Sequence, residues 1–147
     1  MPESDAERRP TGGAIRTATG PGRVLIAVYA VFALSATARA GVQLATKFHQ
    51  APLAYLLSAF AGVVYILATV GLVRTGRAAR RLAWTAVSIE LAGVLLIGTF
   101  SVLQPADFPD ATVWSRYGSG YGWVPLVLPM LGLLWLRHTG RADRSRT

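Results

Sequence analysis

Long apolar runs separated by clusters of arginine dominate this chain of 147 residues. Twelve of its fifteen basic residues fall in three clusters, and two apolar runs lie between each cluster and the next. The clusters are Arg8, Arg9, Arg16 and Arg23, then Arg74, Arg77, Arg80 and Arg81, and finally Arg137, Arg141, Arg144 and Arg146. In membrane proteins, arginine and lysine concentrate in the cytoplasmic loops. The pattern therefore predicts an all-α, integral membrane four-helix bundle in the cytoplasmic (inner) membrane, with both termini in the cytoplasm.

The composition favours the bilayer over other partners. The chain is 52% hydrophobic and 15% charged, and a typical soluble domain is about a quarter charged. A net charge of +8 is compatible with nucleic-acid binding, but the arginines flank the apolar runs, where they set orientation and meet anionic lipid headgroups. We therefore expect the lipid bilayer, and not nucleic acid, as the partner. The chain has no cysteine, which excludes thiol exchange and thiolate metal sites.

The apolar runs divide the chain into three parts. Residues 1–22 are polar and rich in proline and glycine, which predicts a disordered cytoplasmic tail. Residues 23–137 form the membrane domain, with spans at about 24–48, 51–73, 82–103 and 119–136. Residues 138–147 form a basic cytoplasmic tail.

Two of these spans need comment. The fourth is the weakest, because the apolar run 123–136 is short for a membrane and has to include residues from Tyr117 onward. The first also has a competing interpretation as a signal peptide, with an apolar stretch at 24–37 and a small-x-small cleavage site at 38–40. Its long polar leader favours a retained membrane helix instead.

Two charged residues interrupt the spans. Arg39 lies in the first span and Glu90 in the third. A charge near the middle of the bilayer costs about 2.5–3.5 kcal/mol, so it usually faces other helices and finds a partner. The difference in level between the two residues is about 10 Å along the helices, which a tilted arginine–glutamate pair can bridge. The spacing predicts an Arg39–Glu90 ion pair, with an Arg39 that reaches outward to lipid headgroups as the alternative.

Polar residues at helical spacing predict that three faces meet at an internal site. Helical periodicity places these residues on one stripe of each span. The candidate intramembrane polar site comprises Ser35, Arg39 and Gln43 of the first span, Tyr55, Ser58 and Tyr65 of the second, and Glu90 of the third.

The loop at 104–122 is the longest between the spans, and we expect it outside the membrane. Its candidate residues are Asp107, Asp110, Trp114 and Arg116. Asp110 is expected to cap a short interfacial helix that runs to Tyr117, and Trp114 to lie in the aromatic belt at the membrane surface. The Asp107/Asp110 pair could alternatively perform acid–base chemistry, which would make the protein a membrane enzyme. We expect no catalytic, cofactor or metal site, because no motif for one appears.

The segments ARAGVQ (38–43), APLAYLLSAF (51–60), FPDATVWSRYGSGYG (108–122) and VPLVLP (124–129) resemble a group of small actinobacterial integral membrane proteins. The resemblance runs from about Val24 to Arg137 and implies four membrane helices, but it implies no activity. We therefore expect a non-enzymatic accessory or structural membrane component that associates with a second copy or with a larger membrane protein. The alternative is a small transporter or channel subunit that uses Glu90 and Arg39.

Overall fold

The protein is built from four α-helices. The computed structural model describes residues 20–145, without the side chains of residues 142–144, and this part is 85% helix and contains no strand. The helices are α1 (Gly20–Thr46), α2 (Pro52–Val73), α3 (Arg77–Leu103) and α4 (Val124–Arg144). Most of the predicted N-terminal tail lies outside the described residues. α4 continues eight residues past the predicted end of its span, so much of the predicted C-terminal tail is helical.

Three helices, α1 to α3, are each long and apolar enough to cross a membrane. α4 meets that description only together with the 3-10 segment Ser115–Tyr121, and the two are bent by 99°. The chain bends there because Gly118, Gly122 and Trp123 have φ values of 78°, 64° and 64°, which a right-handed helix cannot contain. The bundle therefore has three to four spans, and the predicted span 119–136 is not one straight helix.

Short connections place α1, α2 and α3 side by side and antiparallel, and the hydrogen bonds from Arg80, near the start of α3, to Leu136 and Thr139 place the last turns of α4 at the same end. α2 begins with Pro52, whose fixed φ suits a first helical turn, and Gly76 precedes α3 with a φ of 106°. α1 and α3 consequently begin at one end of the bundle, where α2 and α4 finish. We call this the arginine end, because Arg23, Arg74, Arg77, Arg80, Arg81, Arg137 and Arg141 lie there, and we call the opposite end the loop end.

Small residues line the contacts between the helices. Alanine and glycine supply much of the buried surface of α1, α2 and α3. The backbones of α2 and α3 approach closely at Gly71, where an added Cβ would lie 2.6 Å from the backbone nitrogen of Ala83. Larger apolar side chains such as Leu34, Leu96 and Leu134 point outward and are 61–75% exposed. Small residues inside and large apolar residues outside are typical of helices that pack within lipid.

Adding one methyl group to a glycine should lower stability at the α2–α3 contact but not on an open helix surface. We expect Gly71→Ala to destabilise the protein by about 1–3 kcal/mol, because the α3 backbone has to move. Gly41→Ala is the matched control, since nothing lies within 4 Å of a Cβ there, and it should be neutral or stabilise the helix by about 0.4–1 kcal/mol. Thermal unfolding in detergent measures both, and equal melting temperatures would contradict this packing.

Candidate functional site

Glu90 lies in the centre of the bundle and is completely buried. The Tyr29 hydroxyl of α1 donates a hydrogen bond to Glu90 Oε2 at 2.7 Å. Within the described residues, Glu90 Oε1 is buried and has no hydrogen-bond partner. The Tyr65 hydroxyl of α2 lies near the same carboxylate. The site thus joins three helices around a carboxylate that is half satisfied.

Trp114 connects this centre to the loop end. Its indole Nε1 donates to the Tyr65 hydroxyl at 3.1 Å, and only 1% of its surface is exposed. Its ring packs against α3 at Gly93, where an added Cβ would lie 2.5 Å from Trp114 Cζ3. Trp114 is therefore a core residue, which corrects its predicted place in an interfacial belt. The absence of a side chain at Gly93 makes room for the ring.

The segment around Trp114 folds back into the bundle. Gly93 lies ten residues before the end of α3 at Leu103, which corresponds to about 15 Å along the helix. Tyr117 packs against Gly98, and Thr112, Val113, Trp114 and Ser115 are all buried. Residues 112–121, which we call the inserted loop, consequently occupy space between helices at the loop end. Trp114 reaches farther in than the loop backbone does.

Hydroxyl groups satisfy the backbone of the inserted loop. Thr112 N–H donates to Ser115 Oγ at 2.8 Å, and Trp114 N–H donates to Thr112 Oγ1 at 3.1 Å. Arg116 N–H donates to Ser101 Oγ of α3, also at 2.8 Å. Because an unpaired buried N–H group is costly, these serine and threonine side chains allow a non-helical chain to lie inside the bundle.

The inserted loop is strained at its turn. Arg116 and Tyr117 have φ values of 49° and 59°, and Gly118 continues the left-handed path at 78°. Left-handed conformations cost about 1–3 kcal/mol for residues other than glycine, so the contacts on either side have to hold this turn. The Arg116 side chain is exposed, and the Tyr117 hydroxyl lies 2.8 Å from Thr99 Oγ1.

The predicted Arg39–Glu90 pair does not form. The Arg39 guanidinium donates instead to the Tyr121 hydroxyl and, at 3.2 Å, to the Ala111 carbonyl oxygen. Both acceptors belong to the connection between α3 and α4, so Arg39 points toward the loop end, away from Glu90. The levels of Arg39 and Glu90 along their helices are compatible with a pair, but the folded connection offers Arg39 oxygen acceptors. Tyr29 takes the position beside Glu90.

Asp110 fixes the same connection from the α2 side. The Tyr55 hydroxyl donates to Asp110 Oδ2 at 2.5 Å, and Tyr55 is completely buried. Asp110 does not cap a helix, because the next helical element begins only at Ser115 and has no side-chain cap. Asp107 is exposed in a 3-10 turn, Pro105–Asp107. Within the described residues, no group is hydrogen-bonded to both Asp107 and Asp110, so the two carboxylates do not form a pair.

The remaining predicted residues are spread over different surroundings. Ser35 is exposed on the outside of α1, and Gln43 is half-buried with an Oε1 atom that has no partner among the described residues. Ser58 is buried and donates to the Ala54 carbonyl oxygen of its own helix at 2.9 Å. The buried face of α1 carries Tyr29, Ala33, Ala36 and Ala40 instead of the predicted polar stripe. Small residues at helical spacing from Tyr29 are the signal in the sequence that could have identified it.

A cleft of about 520 Å³ opens at the loop end. Arg39 and Arg116 supply positive charge, and Ser101, Thr112, Ser115 and Ser119 supply hydroxyl groups. Such a lining can hold an anionic or hydrogen-bonding group, but it contains no carboxylate for acid–base chemistry. In the described part of the chain, no three histidine or carboxylate side chains group closely enough to hold a metal ion.

Removal of the Trp114 ring should release the inserted loop. A buried tryptophan contributes about 3–5 kcal/mol, so we expect Trp114→Ala to increase cleavage after Arg116 by trypsin about a hundredfold. Trp123→Ala is the matched control, because Trp123 belongs to the same connection but is 50% exposed. Cleavage fragments from detergent-solubilised protein are measured, with Lys47 at the same end as an internal reference. Equal rates in both variants would show that Trp114 does not anchor the loop.

No protein-family model, curated protein or solved structure matches this chain. The resemblance to small actinobacterial membrane proteins consequently stays a prediction.

Proposed function

We propose that this protein is a non-enzymatic accessory component of the cytoplasmic membrane that presents its fixed connection between α3 and α4 to a membrane partner. One observation supports this proposal above all. Three side-chain contacts tie the connection to the helices: Asp110 is bonded to Tyr55 of α2, Arg39 of α1 to Tyr121 and Ala111, and Trp114 to Tyr65 of α2. A surface that is fixed in this way suits recognition.

The proposed orientation places the arginine end in the cytoplasm and the loop end outside. The distribution of charge supports it, because seven of the arginines whose side chains the structure describes lie at the arginine end, and among those side chains only Lys47 and Arg116 lie near the loop end, beyond Arg39. Basic residues are retained on the cytoplasmic side of the membrane. The cleft with Arg39 and Arg116 would then face outward, where a second copy or a larger membrane protein can reach it.

Site-specific crosslinking in native membranes tests the accessory role. A photoreactive residue at position 116, whose side chain is exposed, should give one discrete adduct. The same residue at position 96, where Leu96 is 69% exposed on the outside of α3, is the control for contacts through lipid. An adduct of twice the chain mass identifies a second copy, and another mass identifies a different protein. Adducts only from position 96 would contradict recognition through the connection.

The Oε1 atom of Glu90, which has no hydrogen-bond partner in the described part of the chain, favours a second candidate, a small transporter or channel subunit. A membrane-embedded carboxylate with a free oxygen can bind a proton or a cation, and intramembrane acidic residues often mark transport pathways. In this candidate Arg39 is not the partner of Glu90, because its guanidinium lies at the loop end.

Glu90→Gln separates the two candidates. The amide oxygen of glutamine can still accept the hydrogen bond from Tyr29, so the bundle should fold, and the accessory role predicts unchanged proton flux in liposomes. A transport role predicts that flux falls to the level of empty liposomes. Tyr29→Phe, which removes the hydrogen bond and keeps the carboxylate, is the control for indirect effects of a weakened centre. A pH-sensitive dye inside the liposomes measures the flux.

A further inference from the structure

The arginine end contains two neighbouring clefts that share Arg80 and Trp84 of α3. One cleft, of about 410 Å³, lies between α3 and α4, where Arg137, Gly140 and Arg141 complete its lining. The other, of about 470 Å³, is lined by Arg77, Arg81 and Thr85. Helical spacing explains the arrangement, because residues three, four and seven positions apart share a face. Five arginines therefore surround one tryptophan.

Arg80 has a different role from the other four arginines. Its guanidinium donates to the Leu136 carbonyl oxygen and, at 3.2 Å, to Thr139 Oγ1, so it connects α3 to the last turns of α4. Its tip lies against Gly140, where a Cβ would collide with the guanidinium. Arg80 thereby fixes the floor of the cleft between the two helices, and the glycine provides the space for it.

The surrounding arginines have no partner of their own. Within the described residues, the guanidinium groups of Arg77, Arg81, Arg137 and Arg141 form no hydrogen bond or ion pair, and all four are exposed. The acidic side chains that the structure describes are Glu90 in the centre and Asp107 and Asp110 near the loop end. The indole N–H of the half-buried Trp84 likewise has no acceptor there. Exposed donors are thus gathered at this end, where the structure describes no carboxylate side chain.

An apolar strip continues from the charged cleft along α4. Leu134 and Met130 lie three and seven residues before Arg137, on the same face of the helix, and they are 61% and 52% exposed. Arginine forks bind phosphate oxygens in bidentate fashion, and tryptophan is favoured at the level of lipid headgroups. Positive charge next to an exposed apolar track matches a ligand with an anionic phosphate head and an acyl tail.

We infer that the cleft between α3 and α4 is a binding site for one anionic phospholipid. The phosphate lies between Arg137 and Arg141 of α4 and the Trp84 indole of α3, and an acyl chain runs along Leu134 and Met130. Arg80 is a positioning residue, because its bonds to α4 keep the two helices at the spacing of the cleft. Basic pockets between membrane helices bind lipid headgroups in this way.

Native mass spectrometry of the full-length protein tests the site with phosphatidylglycerol as the probe. We expect Arg137→Gln with Arg141→Gln to weaken retention of the lipid about tenfold, because hydrogen bonds to charged groups are lost. The matched control is Arg23→Gln with Arg74→Gln, which removes the same charge from the same end but lies outside both clefts. It should retain the lipid like the unaltered protein. Circular dichroism checks that both variants remain helical.

Three results would overturn the assignment. Equal retention by the cleft variant and its control would show that only the general charge of this end attracts lipid. Equal retention of phosphatidylcholine and phosphatidylglycerol would show that the negative charge of the lipid does not matter. Displacement of phosphatidylglycerol by inorganic phosphate at equal concentration would show that the cleft holds a soluble anion. Preference for phosphatidylglycerol, lost only in the cleft variant, supports the site.

Discussion

The need to satisfy every backbone polar group away from water governs the loop end of this protein. A helix meets that requirement within itself, but the inserted loop cannot, because Arg116, Tyr117 and Gly118 turn in the left-handed region. Three of its N–H groups therefore donate to hydroxyls, two of which belong to the loop itself and one to Ser101 of α3. The Ala111 carbonyl oxygen depends in the same way on Arg39. The polar side chains of this region supply the hydrogen bonds that a helix would make within its own backbone.

The short apolar part of α4 leaves room for the inserted loop inside the bundle. α4 begins at Val124 and is apolar only as far as Leu136, so its apolar part is about 20 Å long, against a hydrocarbon layer of about 30 Å. The inserted loop fills the space that a longer helix would occupy, and Gly118 packs directly on Pro125 of the first turn of α4. Trp114 then closes the core above Glu90. Because the apolar part of α4 is short, the inserted loop and its buried Trp114 fill the loop end of the bundle.

The sequence is informative where a property repeats along a helix and uninformative where it depends on a partner. Apolar length and arginine clusters predicted the helical class, and polar residues at helical spacing (Tyr55, Ser58, Tyr65 and Glu90) marked the faces of α2 and α3 that are buried. The depth of Trp114 was not predictable, because it depends on the missing side chain of Gly93, far away in the chain. The predicted direction of the Arg39 side chain was wrong for a similar reason. Helical rise gives the level of a residue, but the acceptors at Tyr121 and Ala111 exist only after the connection has folded.

Arginine inside this bundle is satisfied by oxygen atoms of the backbone and of hydroxyl groups. Arg39 binds Ala111 and Tyr121 near the loop end, and Arg80 binds Leu136 and Thr139 near the arginine end. Carbonyl acceptors cost no buried negative charge, whereas a buried ion pair has to repay the desolvation of two charges. Glu90 is therefore left without a basic partner among the described residues, and the polar groups near it are the hydroxyls of Tyr29 and Tyr65. Its Oε1 atom is therefore the point at which the two candidate functions diverge: a structural centre leaves that oxygen unused, and a transport site supplies it with a proton or a cation.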